Sequence, residues 1–137
     1  MRENTIAADG VYLVAQKGDE DGLWIPVQNS GRSEFIRRVP LMPLKVIAGE
    51  ARLDSQNIPV IHLALSNDLI TRFAEVTQRY AGSRLAFVAG GAVIVAAYIN
   101  EAVLDGQLRI SVGGDMLEAL RQAEYLRLAG MSDAPRG

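Results

Sequence analysis

RLAFVAGGAVIVAAYI, residues Arg84 to Ile99, is the stretch on which the fold turns. Arg84 to Ala89 and Ala92 to Ile99 are rich in apolar and β-branched residues, and they flank Gly90-Gly91. Two adjacent glycines supply the positive φ angles of a two-residue hairpin turn at no steric cost. The pattern predicts a tight antiparallel hairpin. The whole run, Leu85 to Ile99, is too short and too turn-marked to cross a bilayer as a helix.

Upstream, Ser66 and Asn67 offer N-caps for a helix through about Tyr80, with Leu69, Phe73, Val76 and Tyr80 on one apolar face. On the opposite face Asp68 precedes Arg72, and Glu75 precedes Arg79, by four residues, the favourable order for ion pairs of about 0.3 kcal/mol each. Lys45 to Leu53 and Pro59 to Leu65 read as strands joined by the polar turn Asp54-Ser55-Gln56-Asn57. Downstream, Gln107 to Ser111 reads as a short strand, and Gly113-Gly114 leads into a helix with Asp115 and Glu118 at capping-box spacing. Met116, Ala119, Leu120, Ala123 and Leu126 form its expected apolar stripe, and Gly130 its stop. Nearer the start, VYLVAQ (Val11 to Gln16) and LWIPVQ (Leu23 to Gln28) suggest a hairpin around the turn-rich residues 17–22. A further extended piece, Glu34 to Val39, runs into Pro40-Leu41-Met42-Pro43, whose prolines exclude a helix.

This order predicts an α+β fold with an antiparallel or mixed sheet and both helices on one face. The expected divisions are an N-terminal extended or β-hairpin arm at 1–44, a main α+β domain at 45–130 and a flexible tail at 131–137. A chain of 137 residues, 49% hydrophobic and 22% charged, suits a single core. Its net charge of -2 gives no basic stripe of the kind nucleic acid needs, so no nucleic-acid partner is expected. With no cysteine there are no disulfides and no thiol chemistry. Met1 to Asp9 lack the basic start and apolar segment of a secretory signal, which leaves a cytosolic protein or a chain separated from its targeting segment.

Three pieces carry a family resemblance: PVIHLALS (Pro59 to Ser66), RFAEVTQRYAGSRLAFVAGGAVIVAAYINEAV (Arg72 to Val103) and GQLRISVGGDMLEALRQAEYLRLAGMSDAP (Gly106 to Pro135). Their order and spacing are similar to the head of the first periplasmic domain of the protein-export factor SecD, over roughly residues 45–135. The resemblance implies a ferredoxin-like head, placed outside the cytoplasmic membrane, that engages polypeptide in protein export. No transmembrane segment of that family is present in these residues. The implied location is periplasmic or extracytoplasmic, and the implied partner is a polypeptide or a protein of the export machinery.

The side-chain chemistry gives no catalytic constellation, and no enzyme activity, cofactor or metal is expected. His62 stands on a strand without the residues of a triad. Asp19, Glu20 and Asp21 lack the alternating ligands of a calcium loop. Neither glycine pair fits a phosphate-binding motif. Asn100-Glu101, on the element the family uses after its long strand, reads either as a partner contact or as a side chain closing a turn. In LWIPV, Leu23, Ile25 and Val27 share one face and Trp24 the other, so Trp24 is either part of a second core layer or an interaction surface. Strand alternation sets Val60, His62 and Ala64 beside Ile94, Ala96 and Tyr98, a face too apolar to be left wet. The candidate polypeptide-binding residues are therefore Trp24, Val60, His62, Ile94, Tyr98 and Asn100. The expected arrangement is a groove partly covered by the N-terminal hairpin, where an extended segment adds main-chain hydrogen bonds at a sheet edge. The alternative function is a regulatory module that binds a small molecule or self-associates through its sheet.

Overall fold

The computed structural model describes residues 8–16, 18, 21–28, 31–111 and 115–128. Among them lie nine strands: β1 (Gly10–Leu13), β2 (Gly22–Pro26), β3 (Ser33–Arg37), β4 (Met42–Pro43), β5 (Val46–Leu53), β6 (Pro59–Leu65), β7 (Ser83–Ala89), β8 (Ala92–Ile99) and β9 (Gln107–Ser111). Helix α1 (Ile70–Arg79) follows a 3-10 turn at Asn67–Leu69, and α2 is Met116–Arg127. The tail 131–137, Gly113-Gly114, Gly130 and most of the acidic loop lie outside the described residues.

Gly90 and Gly91 join β7 to β8 with φ angles of 65° and 84°, the positive values a two-residue turn demands. Asp9 Oδ1 accepts the Gly90 N–H at 2.9 Å and ties the turn to the start of β1. The hairpin is one half of a four-stranded antiparallel sheet of order β4-β1-β7-β8. A second sheet has the order β5-β6-β9, and β2 pairs with β3 as a separate ribbon. The first two N-terminal strands therefore do not form the expected hairpin. β1 pairs with β7 because Val11, at 0% exposure, belongs to the main core, and the hairpin within 1–44 is β2–β3.

The strands and helices follow the expected order along the chain, but they do not form the single ferredoxin-like sheet the resemblance implies. The β7–β8 hairpin pairs with β1 and leaves β6 to pair with β5 and β9. The inner faces of the two sheets meet in one core. Ile61, Leu63, Leu65, Leu108 and Ile110 face Leu85, Phe87, Ile94 and Ile99, with Leu69, Phe73, Val76, Ala119, Ala123 and Leu126 from the helical segments. Both helices thus contribute to the same core.

α1 buries the face its spacing predicts. Neither expected ion pair forms among the described residues: Asp68 accepts instead from the Ser66 hydroxyl, and the Arg79 guanidinium lies 5.8 Å from the centroid of the Tyr80 ring. Asp115 caps α2 by accepting the Glu118 N–H at 2.9 Å. Leu120 is not core as expected but 49% exposed, because α2 turns its small residues Ala119 and Ala123 inward. That phase brings the helix close to β5, where a Cβ at Gly49 would stand 2.9 Å from Arg127 Cγ.

Thr77 is the one buried polar residue among the described residues. Its Oγ1 donates to the Phe73 carbonyl at 2.8 Å and accepts the Val103 N–H at 2.8 Å, fastening the loop after β8 to α1. Thr77→Val keeps the shape but leaves the Val103 N–H without its acceptor. It is expected to lower stability by about 1–3 kcal/mol, measured by urea denaturation, whereas Thr77→Ser retains the acceptor and loses less.

Candidate functional site: the open end of a ribbon-covered sheet

The β2–β3 ribbon lies across the outer face of the four-stranded sheet. Ile25 and Ile36 pack down on Tyr12, Ala86, Val88 and Val93, a second small core flanked by Leu23 and Val27. Tyr12 donates from its hydroxyl to the Ala8 carbonyl at 2.8 Å, and burial, helped by the Asp9 charge, pushes its pKa up. Alternation in β2 is as read: Ile25 faces in, and Trp24, 66% exposed, faces out. The exposed indole stacks on Phe35, its cross-strand partner, with ring centroids 4.9 Å apart. Phe35 folds in turn over Gly22, where an added Cβ would stand 2.0 Å from the ring. Only glycine leaves room for the Phe35 ring in this position.

At the end of the ribbon a row crosses the sheet, Val14–Arg84–Tyr98: β3 holds its first member, Ile36 bridging Val14 and the Phe35 carbonyl accepting the Ala15 N–H at 2.8 Å, and Tyr98 is left exposed. Val14 donates its N–H to the Arg84 carbonyl at 3.0 Å, and Arg84 stands opposite Tyr98. Two open hollows, each of about 550 Å³, meet here and share Val14 and Ala15. One is walled by Trp24, Phe35 and Glu34, the other by Leu13, Arg84 and Tyr98. Arg84 Nη1 and Glu34 Oε1, 2.7 Å apart, join the two walls and fix the ribbon to β7. The first hollow is chiefly apolar and the second more polar.

The edge of β8 is closed at one end and open at the other. Gln28 donates its N–H to the Val93 carbonyl at 2.9 Å, and Gln122 Nε2 donates to the Ile94 carbonyl at 3.3 Å. Beyond them, the register of β7 on β1 and β8 directs the backbone groups of Ala96 and Tyr98 away from β7. Among the described residues nothing pairs with them. An unpaired edge two residues long therefore carries the exposed Tyr98 ring, which walls the more polar hollow, while the apolar hollow of Trp24, Phe35 and Val14 lies across β7 from it.

The six sequence candidates separate. Trp24 and Tyr98, also 66% exposed, border this region, and Asn100 is exposed just past the end of β8. Ile94, at 1% exposure, is core. A bulge between Phe87 and Val88 in the β7–β8 register breaks the alternation, so Ile94 and Tyr98 do not share a face. Val60 and His62 are on the other sheet, and Val60 at 2% exposure is closed to a partner. His62 is half-buried between Glu50 and Arg109 in a cross-strand row. The outer face of β6 is consequently not apolar as expected: its neighbours carry Glu50, Arg52, Gln107 and Arg109 around a shallow concavity of about 450 Å³. The Arg52 guanidinium, hydrogen-bonded to Glu50 at 2.6 Å, holds that carboxyl below its ordinary range. Phe35, Val14, Glu34 and Arg84 were not singled out from sequence, since each enters the site through pairing between distant segments.

A family model described as SecDF, P1 head subdomain, matches residues 25–131. The chain is 31% identical to a protein translocase subunit SecD of Acidaminococcus fermentans over 146 residues, covering 85% of the chain and 35% of the relative. It is 36% identical to the SecD subunit of Desulfurispirillum indicum over 92 residues, covering 66% of the chain and 18% of the relative. The chain therefore spans about a third or less of the length of these relatives. Its fold is similar to that of SecDF in a super-membrane-facing form, with TM-score 0.55 and 30% identity over 68% of the chain and 13% of that structure. It is also similar to a structure of SecDF, a membrane component that enhances protein export, with TM-score 0.58 and 20% identity over 90% of the chain and 64% of that structure. No helix among the described residues is long and apolar enough to cross a membrane.

Proposed function

The chain belongs to the SecDF P1 head subdomain family, and from that premise we propose that it is a non-catalytic, extracytoplasmic binding module of protein export that holds extended polypeptide. The observation that carries the reading is the open β8 edge at Ala96 and Tyr98, with the Tyr98 ring walling a hollow that adjoins, through Val14 and Ala15, the apolar hollow of the Trp24–Phe35 pair. Main-chain bonds at an edge bind any sequence, the exposed Tyr98 ring beside it takes one side chain, and the apolar Trp24–Phe35 hollow beyond offers a second contact, which suits a client of varied sequence. Exposed aromatic rings add apolar contact area with little side-chain entropy to lose. Half of the β8 edge is closed by Gln28 and Gln122, so contact is short, binding is weak and the client is released.

The chain has one tryptophan, which makes its fluorescence a direct report on the site. Titration with an unfolded, moderately hydrophobic peptide is expected to give a saturable change in Trp24 emission, with backbone amide shifts at Ala96 and Tyr98. Binding should be little affected by salt, since no basic stripe takes part. Trp24→Ala and Tyr98→Ala, both at exposed positions, should leave the fold intact, and Tyr98→Ala, followed by Trp24 emission, should weaken binding roughly ten-fold. Absence of any shift at millimolar peptide removes this reading.

A further inference from the structure

The three-stranded sheet ends in a second open edge, at β9. Leu65 donates its N–H to the Gly106 carbonyl at 2.9 Å, and the antiparallel register continues through Leu63 with Leu108 and Ile61 with Ile110. Leu108 and Ile110 therefore direct their backbone groups at β6, while Gln107, Arg109 and Ser111 direct theirs away from the sheet. Asp105 Oδ1 takes the Gln107 N–H at 3.1 Å. Among the described residues nothing pairs with the outward N–H and C=O of Arg109. The strand is nevertheless firmly seated, with Leu108 and Ile110 buried in the main core. A rigid strand with free outward groups is a template for one more strand.

The charges on its outer face say which strand fits. The cross-strand row runs Glu50, His62, Arg109. Glu50 is paired with Arg52 at 2.6 Å, while Arg109 has no ion-pair partner among the described residues and is only a minor influence on the Asp54 carboxylate, which the Ile58 and Gln56 N–H groups hold chiefly. Among the described residues the row thus ends at the open edge on a guanidinium that makes no ion pair. A second copy of the chain is a poor occupant: the two-fold pairing that uses the whole of β9 sets Gln107 against Ser111 and Arg109 against its own counterpart. Like charges directly opposite each other destabilise a strand pair, and opposite charges stabilise it.

We propose that β9 is a docking edge for an extended, acidic segment of a partner protein, which pairs with the outward backbone of Arg109 and sets a carboxylate opposite its guanidinium. This site lies on the other sheet from the Trp24 and Tyr98 hollows and does not depend on them.

The test uses the chain with two blocked peptides, Thr-Val-Thr-Glu-Thr-Val-Thr and the same peptide with lysine in place of glutamate, followed by amide shifts and hydrogen exchange. The glutamate peptide should shift and protect the Arg109 and Ser111 amides, and the lysine peptide should bind about five-fold more weakly. Arg109→Glu, an exposed change, should reverse that preference. Equal binding of both peptides, shifts confined to Ala96 and Tyr98, or Arg109 protection that grows with protein concentration before peptide is added would each overturn the proposal.

Discussion

Phe73→Ala is expected to cost about 3–5 kcal/mol of folding stability, the range for removing a fully buried phenylalanine. Phe73 is at 0% exposure on the inner face of α1, in the core shared by both sheets. Its ring lies 6.5 Å from that of Phe87 on β7, tilted by 60°, the edge-to-face range in which aromatic pairs gain beyond their buried area. The substitution therefore opens a cavity where α1 meets the four-stranded sheet, and neighbours from rigid strands collapse into it only partly. A domain of this size has about 5–15 kcal/mol in all, so the variant should lose a large fraction of its stability. The check is the shift in urea midpoint at unchanged m-value. A loss under about 1 kcal/mol would show that α1 does not present Phe73 to the core.

Ile94→Ala and Tyr98→Ala are expected to differ sharply although the residues stand four apart on one strand. Simple alternation puts both on the same face, and both would then be equally costly or equally harmless. The bulge opposite Phe87 and Val88 turns Ile94 into the main core at 1% exposure and leaves Tyr98 at 66% on the opposite face. Ile94→Ala should cost about 2–5 kcal/mol, and Tyr98→Ala should stay within about 0.5 kcal/mol while weakening peptide binding. Denaturation curves of the two variants, recorded side by side, decide it. Similar losses in both would mean that the strand runs without its bulge and that the proposed site at Tyr98 is misplaced.

These expectations mark where local sequence information ends. The Gly90-Gly91 turn, the Asp115 cap, the inward faces of β2 and β6 and the buried stripe of α1 were legible because each depends on residues within one turn or one strand of each other. Steric limits on φ, capping and side-chain periodicity act over that range, and tertiary packing here agrees with them. Three features depended on contacts between distant segments. β1 pairs with β7 rather than β2, since an apolar strand such as Val11 to Leu13 fits several partners by pattern, and only burial in the main core selects one. Leu120 faces out because Ala119, Ala123 and Gly49 let α2 approach β5 closely, a fit that the helix's own stripe of apolar residues does not reveal. The outer face of β6 is charged rather than apolar because its neighbours are β5 and β9, and alternation says which face a residue takes but not which strand lies beside it. By itself the sequence determined the elements, their order and the face of β2 on which Trp24 stands, opposite to Ile25, while the structure decided that this face is exposed. The tertiary structure alone decided strand pairing, the bulge that separates Ile94 from Tyr98, and therefore which aromatic side chains and which unpaired edges come together, because those depend on long-range packing that no local propensity encodes.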